Sequence, residues 1–148
     1  MTDVVDAATR SRMMSGIRGR NTKPEMLIRS LLHRQGLRFR LHAKELPGKP
    51  DMVFPRYRAV IFVHGCFWHG HDCPLFKWPA TRAEFWHDKI RKNRENDRRS
   101  IDSLLTEGWR VCVVWECSMR GAGKDIDGLV QRVADWIRGS EPFMEARG

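Results

Sequence analysis

Residues 50–64 read Pro-Asp-Met-Val-Phe-Pro-Arg-Tyr-Arg-Ala-Val-Ile-Phe-Val-His, and this segment gives the clearest indication of the fold. Residues 51–54 form a short, mostly apolar run, and residues 59–64 form the most apolar run of the chain. The proline, tyrosine and two arginines between them have the composition of a turn. Short apolar runs bounded by turn residues indicate buried strands. We therefore predict two core strands that meet here, with Asp51 at the start of the first and His64 at the end of the second.

Helices and further strands are predicted on both sides of this pair. Residues 22–25 read Thr-Lys-Pro-Glu, which has the form of a capping box, and apolar residues follow at helical spacing up to Gly36. The alternation over residues 37–42 predicts a half-buried strand. Beyond residue 80 we predict a long helix that begins with a second capping box at 81–84 and ends near 108, a buried strand over 109–116 and an amphipathic helix over 124–139. The order α-β-β-β-α-β-α is typical of an α/β protein.

The chain divides by composition into three parts. Residues 1–21 hold arginines around Met13, Met14 and Ile17 without a core pattern, which predicts a basic arm. Residues 22–139 carry all the predicted elements without a dividing linker, which predicts a single domain. Residues 140–148 are predicted to form a disordered tail.

The charge of the chain favours a polyanionic partner. Its 148 residues include 27 Lys and Arg against 18 Asp and Glu, for a formal net charge of +9. Nucleic acid is the commonest polyanion that a cytoplasmic protein meets. The alternative interpretation of the positive charge is a generally basic surface that binds no nucleic acid. Six tryptophans strengthen the case for nucleic acid, because aromatic rings among cations stack on bases. The longest purely apolar run is far too short for a membrane span and no secretory signal is evident, so we predict a cytoplasmic protein without a membrane partner.

The segment of residues 66–73, Cys-Phe-Trp-His-Gly-His-Asp-Cys, has the composition of a metal site. A structural zinc ion requires four soft or borderline ligands in a tetrahedron. We expect the fourth ligand to be Cys117, just past a predicted strand, whereas Cys112 lies inside that strand and fits a buried thiol. The alternative is a set of reduced cysteines without metal. The predicted zinc ligands, which would order the loop, are Cys66, His71, Cys73 and Cys117.

Asp51 offers a second kind of metal site. Hydrolysis of a phosphodiester near neutral pH requires a Lewis acid and a group that manages the proton of the attacking water. A carboxylate at a strand end can hold Mg²⁺, and the neighbouring strand can add a backbone carbonyl. An Asp beside a Pro is also a common turn residue, which is the competing interpretation.

These motifs resemble a known family of nucleases. Pro50-Asp51 on one strand, the apolar strand after it and the order of elements are similar to the restriction-endonuclease-like (PD-(D/E)XK) fold. Five further segments carry a narrower resemblance: Phe-Val-His-Gly-Cys-Phe-Trp-His-Gly-His-Asp-Cys at 62–73, Pro-Ala-Thr-Arg at 79–82, Phe-Trp at 85–86, Gly-Trp-Arg-Val at 108–111 and Val-Trp-Glu-Cys at 114–117. With them, the chain resembles the very short patch repair (Vsr) family of DNA mismatch endonucleases from about residue 8 to residue 139.

The resemblance implies a fold, an activity and partners. The fold would be a three-layer core with a mixed central sheet between helices and a zinc-ordered loop. The activity would be Mg²⁺-dependent nicking of one strand of double-stranded DNA next to a T:G mismatch, by a monomer that carries a structural zinc. The protein would be associated with the bacterial nucleoid, and mismatch-repair accessory proteins would be its further partners.

The resemblance also implies residue roles. Asp51 and the backbone carbonyl of Val63 would bind Mg²⁺. His69 would be the general base or acid, and the supporting polar residues would be His64, Glu25 and Asp97. The residues that wedge into the base stack would be Phe67, Trp68 and Trp86, while Met14 and Ile17 of the arm would press from the other groove.

Several of these roles have structural alternatives. Glu25 occupies the capping-box position of the first helix, and Asp97 lies among arginines, where an exposed ion pair is expected. Phe67 and Trp68 could be core residues, and either His64 or His69 could transfer the proton. Two other functions stay open: a zinc-stabilised DNA-binding module without catalysis, and a restriction endonuclease that cuts paired DNA.

Overall fold

The computed structural model describes residues 23–120 and 123–147. Within these ranges there are three α-helices and five strands: α1 (Lys23–Arg34), β1 (Arg40–Leu41), β2 (Met52–Phe54), β3 (Ala59–His64), α2 (Ala83–Thr106), β4 (Arg110–Trp115), α3 (Ile126–Arg138) and β5 (Phe143–Ala146). Short 3-10 helices follow β2 and β4. The predicted α/β class is confirmed. The predicted arm over residues 1–21, with Met14 and Ile17, lies outside the described residues.

The five strands form one mixed sheet in the order β1-β2-β3-β4-β5. The pairs β1–β2 and β2–β3 are antiparallel, and the pairs β3–β4 and β4–β5 are parallel. Met52 pairs with Ile61, so the start of β2 lies beside the end of β3. His64 pairs with Trp115, so β3 and β4 end at the same level. The register therefore brings the predicted catalytic and zinc-binding segments together at the end of the sheet where β3 and β4 finish.

Helices cover both faces of the sheet. Alternate strand residues enter two separate cores because successive side chains of a strand point to opposite faces. Met52, Ile61 and Cys112 pack with α1 and α3, whereas Val53, Val60 and Val113 pack with α2. The burial of Cys112 agrees with its prediction as a structural thiol. None of the helices in the described ranges is long and apolar enough to cross a membrane.

The predicted disordered tail is wrong. Phe143–Ala146 form β5, which pairs in parallel with β4 from Val111 to Val114. Only Ala146 of this strand is fully buried, so the segment lacks the apolar alternation by which a strand can be predicted. Backbone hydrogen bonds to β4 stabilise β5, because β4 would otherwise be an unpaired edge strand. The helix α3 is the crossover between these two parallel strands. The element order is therefore α-β-β-β-α-β-α-β.

Two local predictions also need correction. The strand predicted over residues 37–42 is reduced to Arg40–Leu41, because Leu37 packs in the core and His42, with φ of +46°, turns the chain. The capping box predicted at residues 81–84 does not form. Arg82 precedes α2 with φ of +54°, and no side chain caps the helix there.

Candidate active site and metal centre

Two carboxyl groups meet at the edge of the sheet. Asp51 precedes β2, and its Oδ2 accepts a hydrogen bond from the backbone N–H of Val63 on β3 (2.6 Å). Glu25, in the first turn of α1, is only 2% exposed, and its side chain hydrogen-bonds to that of Asp51. The structure thus places Glu25 beside Asp51, at the position predicted for magnesium.

The chemistry of this pair fits a divalent cation. Two carboxyl groups can hydrogen-bond to each other only if one of them carries a proton. Burial, reinforced by the nearby Glu25, raises the pKa of Asp51 from 3.8 to about 8. Carboxylate oxygens are the ligands that Mg²⁺ prefers, and a cation between them would take the place of the shared proton. Asp51 and Glu25 are therefore suited to hold Mg²⁺.

Two histidine rings stack at the end of β3, where His64 follows the residue that contacts Asp51. His64 ends β3 directly after Val63, and its ring stacks on that of His69 with centroids 3.8 Å apart and an angle of 8°. A chain of contacts therefore runs from Asp51 through Val63 and His64 to His69. Sequence reasoning alone could not predict this stacking, because His69 belongs to a loop without regular structure.

The two imidazoles have different environments. His69 Nδ1–H donates to Asp97 Oδ2 on α2 (2.5 Å), a bond that leaves Nε2 as the proton acceptor of the neutral ring. For Asp97 the structural alternative was an exposed ion pair with neighbouring arginines, whereas the structure shows a contact with His69. Burial lowers the pKa of His64 well below its usual range, so His64 stays neutral near pH 7. Its Nδ1 has no hydrogen-bond partner among the described residues. The geometry thus favours His69 for proton transfer.

The four predicted zinc ligands lie together. The candidate ligand atoms of Cys66, His71, Cys73 and Cys117 are all within 4.8 Å of one another. His71 Nδ1 is 3.5 Å from the sulfur of Cys66 and 3.5 Å from that of Cys117. Zinc bonds of about 2.3 Å to sulfur and 2.0–2.1 Å to nitrogen at a tetrahedral angle give a separation of about 3.6 Å. The donor set and its spacing therefore fit a zinc ion.

The loop of the candidate zinc centre is held against α2 and the sheet. Asn93 Nδ2–H donates to the carbonyl of Trp68 (2.8 Å), and Glu116 Oε1 accepts from the N–H of Cys66 (3.3 Å). Gly70 has φ of +60°, and a Cβ there would lie 2.5 Å from Ile90 of α2. Only glycine allows this close approach. Asn93 and Glu116 are loop anchors that sequence analysis did not predict.

The aromatic residues predicted to enter DNA form one cluster. The ring of Phe67 is 5.3 Å from those of Trp68 and Trp86, and the two tryptophan rings are 5.7 Å apart. All three residues are half-buried, so the rings pack on one another and keep part of their surface accessible. Phe85 and Trp78 nearby are 45% and 47% exposed. This cluster lies between the loop and the start of α2.

Comparisons of the sequence relate this chain to known proteins. The model of the family DNA mismatch endonuclease Vsr matches residues 2–75. The DNA mismatch endonuclease Vsr of Escherichia coli (strain K12) is 55% identical over 140 residues, which cover 94% of this chain and 90% of the relative. The chain belongs to the Vsr family. The resemblance found in its motifs is thereby confirmed, and the protein is a DNA mismatch endonuclease.

Two further Vsr relatives are nicking enzymes by name. The Type II nicking enzyme V.XorIIP of Xanthomonas oryzae pv. oryzae is 51% identical over 123 residues, covering 83% of this chain and 90% of the relative. The Type II nicking enzyme V.NmeAIP of Neisseria meningitidis serogroup A is 40% identical over 140 residues, covering 93% of this chain and all of the relative. Both alignments include most of the chain and therefore the segments that form the site.

Several contacts within this Vsr site were not predicted from the sequence. Trp115 stacks on His71 with centroids 3.9 Å apart, and it makes a T-shaped contact with His64 at 5.2 Å. Arg29 and His42 both donate to Glu25. The contacts of Trp115 and His42 join residues from different elements, so no local pattern could have predicted them. The pair of Arg29 and Glu25 has the i,i+4 spacing of a helix.

We expect the raised pKa of Asp51 to make the protein without a bound cation less stable as pH rises. The pKa of the folded state is about 8 against an ordinary value of 3.8. The stabilising contribution of this buried carboxyl to the free energy of unfolding is therefore fully present below pH 3.8. It is lost as pH rises through about 8. Wild-type Tm measured without added Mg²⁺ is expected to fall relative to that of Asp51→Asn from weakly acidic to weakly alkaline pH. Parallel Tm curves would contradict this assignment.

Proposed function

We propose that this enzyme is a Mg²⁺-dependent nickase that hydrolyses one strand of double-stranded DNA next to the thymine of a T:G mismatch. The observation that carries the proposal is the chain of contacts that links Asp51 through Val63 and His64 to His69, beside a Cys and His cluster and an aromatic cluster. The names of the two nicking relatives support a product cut in one strand. The order of elements supports a restriction-endonuclease-like core.

Asp51 and Glu25 would hold the catalytic magnesium. When bound, Mg²⁺ supplies a Lewis acid that withdraws charge from the phosphoryl oxygen during hydrolysis. The carbonyl of Val63 is a suitable third ligand, because N–H and C=O of one strand residue point to the same side and its N–H already faces Asp51. The protein contributes buried oxygens that are held in place before the cation arrives.

His69 would manage the proton of the attacking water. Its Nδ1–H is bound to Asp97, so Nε2 is the nitrogen that can accept a proton. Asp97 holds the ring in one orientation and stabilises the imidazolium that forms, which is how a carboxylate supports a catalytic histidine. His64 supports the ring of His69 by stacking on it.

Cys66, His71, Cys73 and Cys117 would hold the structural zinc. The zinc, when bound, would join the loop to the end of β4, because Cys117 follows that strand and the other three ligands belong to the loop. The loop carries His69 and two of the clustered rings, so its order determines where these groups meet the DNA. Zinc is therefore expected to act on activity through the position of the loop.

The aromatic cluster would provide selectivity for the mismatch. Phe67, Trp68 and Trp86 are suited to wedge between bases, and unstacking costs on the order of a few kcal/mol per step, least where pairing is already poor. Exposed cations of α2 are available to bind the phosphates, which positions the duplex without reading its sequence. Met14 and Ile17 of the predicted arm over residues 1–21 would press from the other groove. In this proposal a single nuclease domain begins at residue 22 and includes β5.

The metal dependence of nicking tests the catalytic part of this proposal. A T:G duplex with each strand labelled is incubated with the protein in Mg²⁺, in Ca²⁺ and without a divalent cation. We expect binding in all three conditions, because phosphate contacts do not need the cation, and one nick in one strand only with Mg²⁺. Binding without any nick in Mg²⁺ would support the DNA-binding module instead. Cleavage without a divalent cation would contradict the proposed role of Asp51.

A further inference from the structure

His42 lies where β1 ends, and its contacts reach both residues of the acidic pair. Its backbone N–H donates to the carbonyl of Asp51 (3.1 Å). Its Nε2–H donates to Oε2 of Glu25 (2.6 Å), and the two side chains are only 16% and 2% exposed. The candidate ligand atoms of Glu25, His42 and Asp51 all lie within 4.8 Å of one another. His42 is therefore part of the surroundings of the proposed magnesium site.

The backbone of His42 is in an uncommon conformation. Its φ of +46° lies in the left-handed region, where turns favour glycine. Non-glycine residues in this region cluster at functional sites, where the surrounding structure holds them in place. At this position the side chain makes a buried hydrogen bond to a carboxylate, which a glycine could not make. The hydrogen bond of the imidazole therefore explains why a histidine occupies this position, whereas the turn alone would favour glycine.

Two donors converge on one oxygen of Glu25. Arg29, one turn further along α1, donates through Nη2 to the same Oε2 that accepts from His42. One donor comes from the helix of Glu25 itself and the other comes from the sheet. A carboxylate oxygen held from two directions fixes the orientation of the whole group. Glu25 is therefore oriented relative to Asp51 before a cation binds.

We infer that His42 is a positioning residue of the magnesium site, which holds Glu25 in the orientation that lets it share one divalent cation with Asp51. This inference rests on the proposed function, because it assigns His42 a part in the same site. His42 acts through Glu25 and does not contact DNA or the reacting atoms in this role. Loss of such a partner behind a metal-binding residue costs about 10–100-fold in metal affinity or activity.

The dependence of the nicking rate on Mg²⁺ concentration tests this role. His42→Gly and His42→Ala are expected to raise the Mg²⁺ concentration for half-maximal rate by about 10-fold or more, with unchanged DNA binding in the absence of Mg²⁺. His42→Gly is expected to stay folded, because glycine suits the left-handed backbone and this gain offsets part of the lost buried hydrogen bond. His42→Gln, whose amide can donate one hydrogen bond, is expected to recover part of the loss. His33→Gln, at an exposed histidine of α1, is the matched control.

The outcomes separate this inference from the proposed function. A wild-type enzyme without a Mg²⁺ requirement would overturn the proposed function. A wild-type enzyme that requires Mg²⁺, together with an unchanged Mg²⁺ dependence in a folded His42→Gly, would overturn the inference alone. In a Glu25→Gln background we expect His42→Ala to cause no further loss of single-turnover rate, because the residue acts through Glu25. An additive loss in that background would also overturn the positioning role.

Discussion

Asp51→Asn is expected to lower the single-turnover rate of nicking in saturating Mg²⁺ by about 10³-fold or more. A catalytic cation stabilises the charge of the transition state by several kcal/mol, and each 1.4 kcal/mol corresponds to about a factor of ten in rate. Asparagine keeps the size and the polar contact of Asp51 but removes the charge that attracts the cation. The fold is expected to tolerate the change, because the native carboxyl is already costly to ionise when buried.

DNA binding distinguishes this loss from unfolding. Asp51→Asn is expected to bind the mismatched duplex about as tightly as the wild type, because contacts to the phosphates do not depend on the catalytic cation. Asp135→Asn, at an exposed carboxylate of α3, is the matched control and should nick at the wild-type rate. Retention of nicking by Asp51→Asn would show that the cation is held elsewhere. Equal loss of binding and nicking would indicate a structural role for Asp51.

Cys73→Ser is expected to lose zinc and to lower Tm by roughly 6–12 °C. Structural zinc contributes about 10–16 kcal/mol in small zinc-binding peptides. Loss of only about 3 kcal/mol from the free energy of unfolding would lower the Tm of a domain of this size by roughly 6–12 °C. Serine is nearly isosteric with cysteine, so packing changes little, but its hydroxyl is a poor zinc ligand. On heating, Cys73→Ser is therefore expected to unfold at temperatures at which the folded protein could still carry out the chemistry.

A second cysteine provides the control for the zinc centre. Cys112 is fully buried in the core beneath α1 and α3, and burial raises its pKa to about 12, as expected for an inert thiol. Cys112→Ala should keep one zinc per chain, measured by elemental analysis of the purified protein, even where its Tm falls from the lost packing. Equal zinc content in Cys73→Ser and Cys112→Ala would contradict the assignment of Cys73 as a ligand.

Those parts of the fold that depend on local pattern were predictable. The apolar run of residues 59–64 predicted β3, and the helical spacing of apolar residues predicted α1 and α3. The grouping of Cys66, His71 and Cys73 with Cys117 followed from the position of Cys117 just after a strand, and the structure brings these residues together. The approach of Asp51 to the end of β3 followed from the pairing of two neighbouring strands.

Contacts between distant elements were not predictable. The bond from His69 to Asp97 joins a loop to a helix 28 residues away, so the sequence around Asp97 indicated only a charged helix surface. His42 followed an alternating pattern that predicted a strand, whereas the chain turns there. β5 depends on the free edge of β4 and has little apolar signal of its own. In each case the deciding partner is remote in sequence.

The relative nicking of paired and mispaired DNA tests the central claim most directly. One duplex sequence, with each strand labelled, is prepared fully paired and with each mispair in turn, and single-turnover rates are measured in Mg²⁺. We expect a single nick in the thymine-bearing strand of the T:G duplex, at a rate far above that of the fully paired duplex. Comparable rates for the paired and the T:G duplex, or cleavage of both strands, would contradict the proposed function.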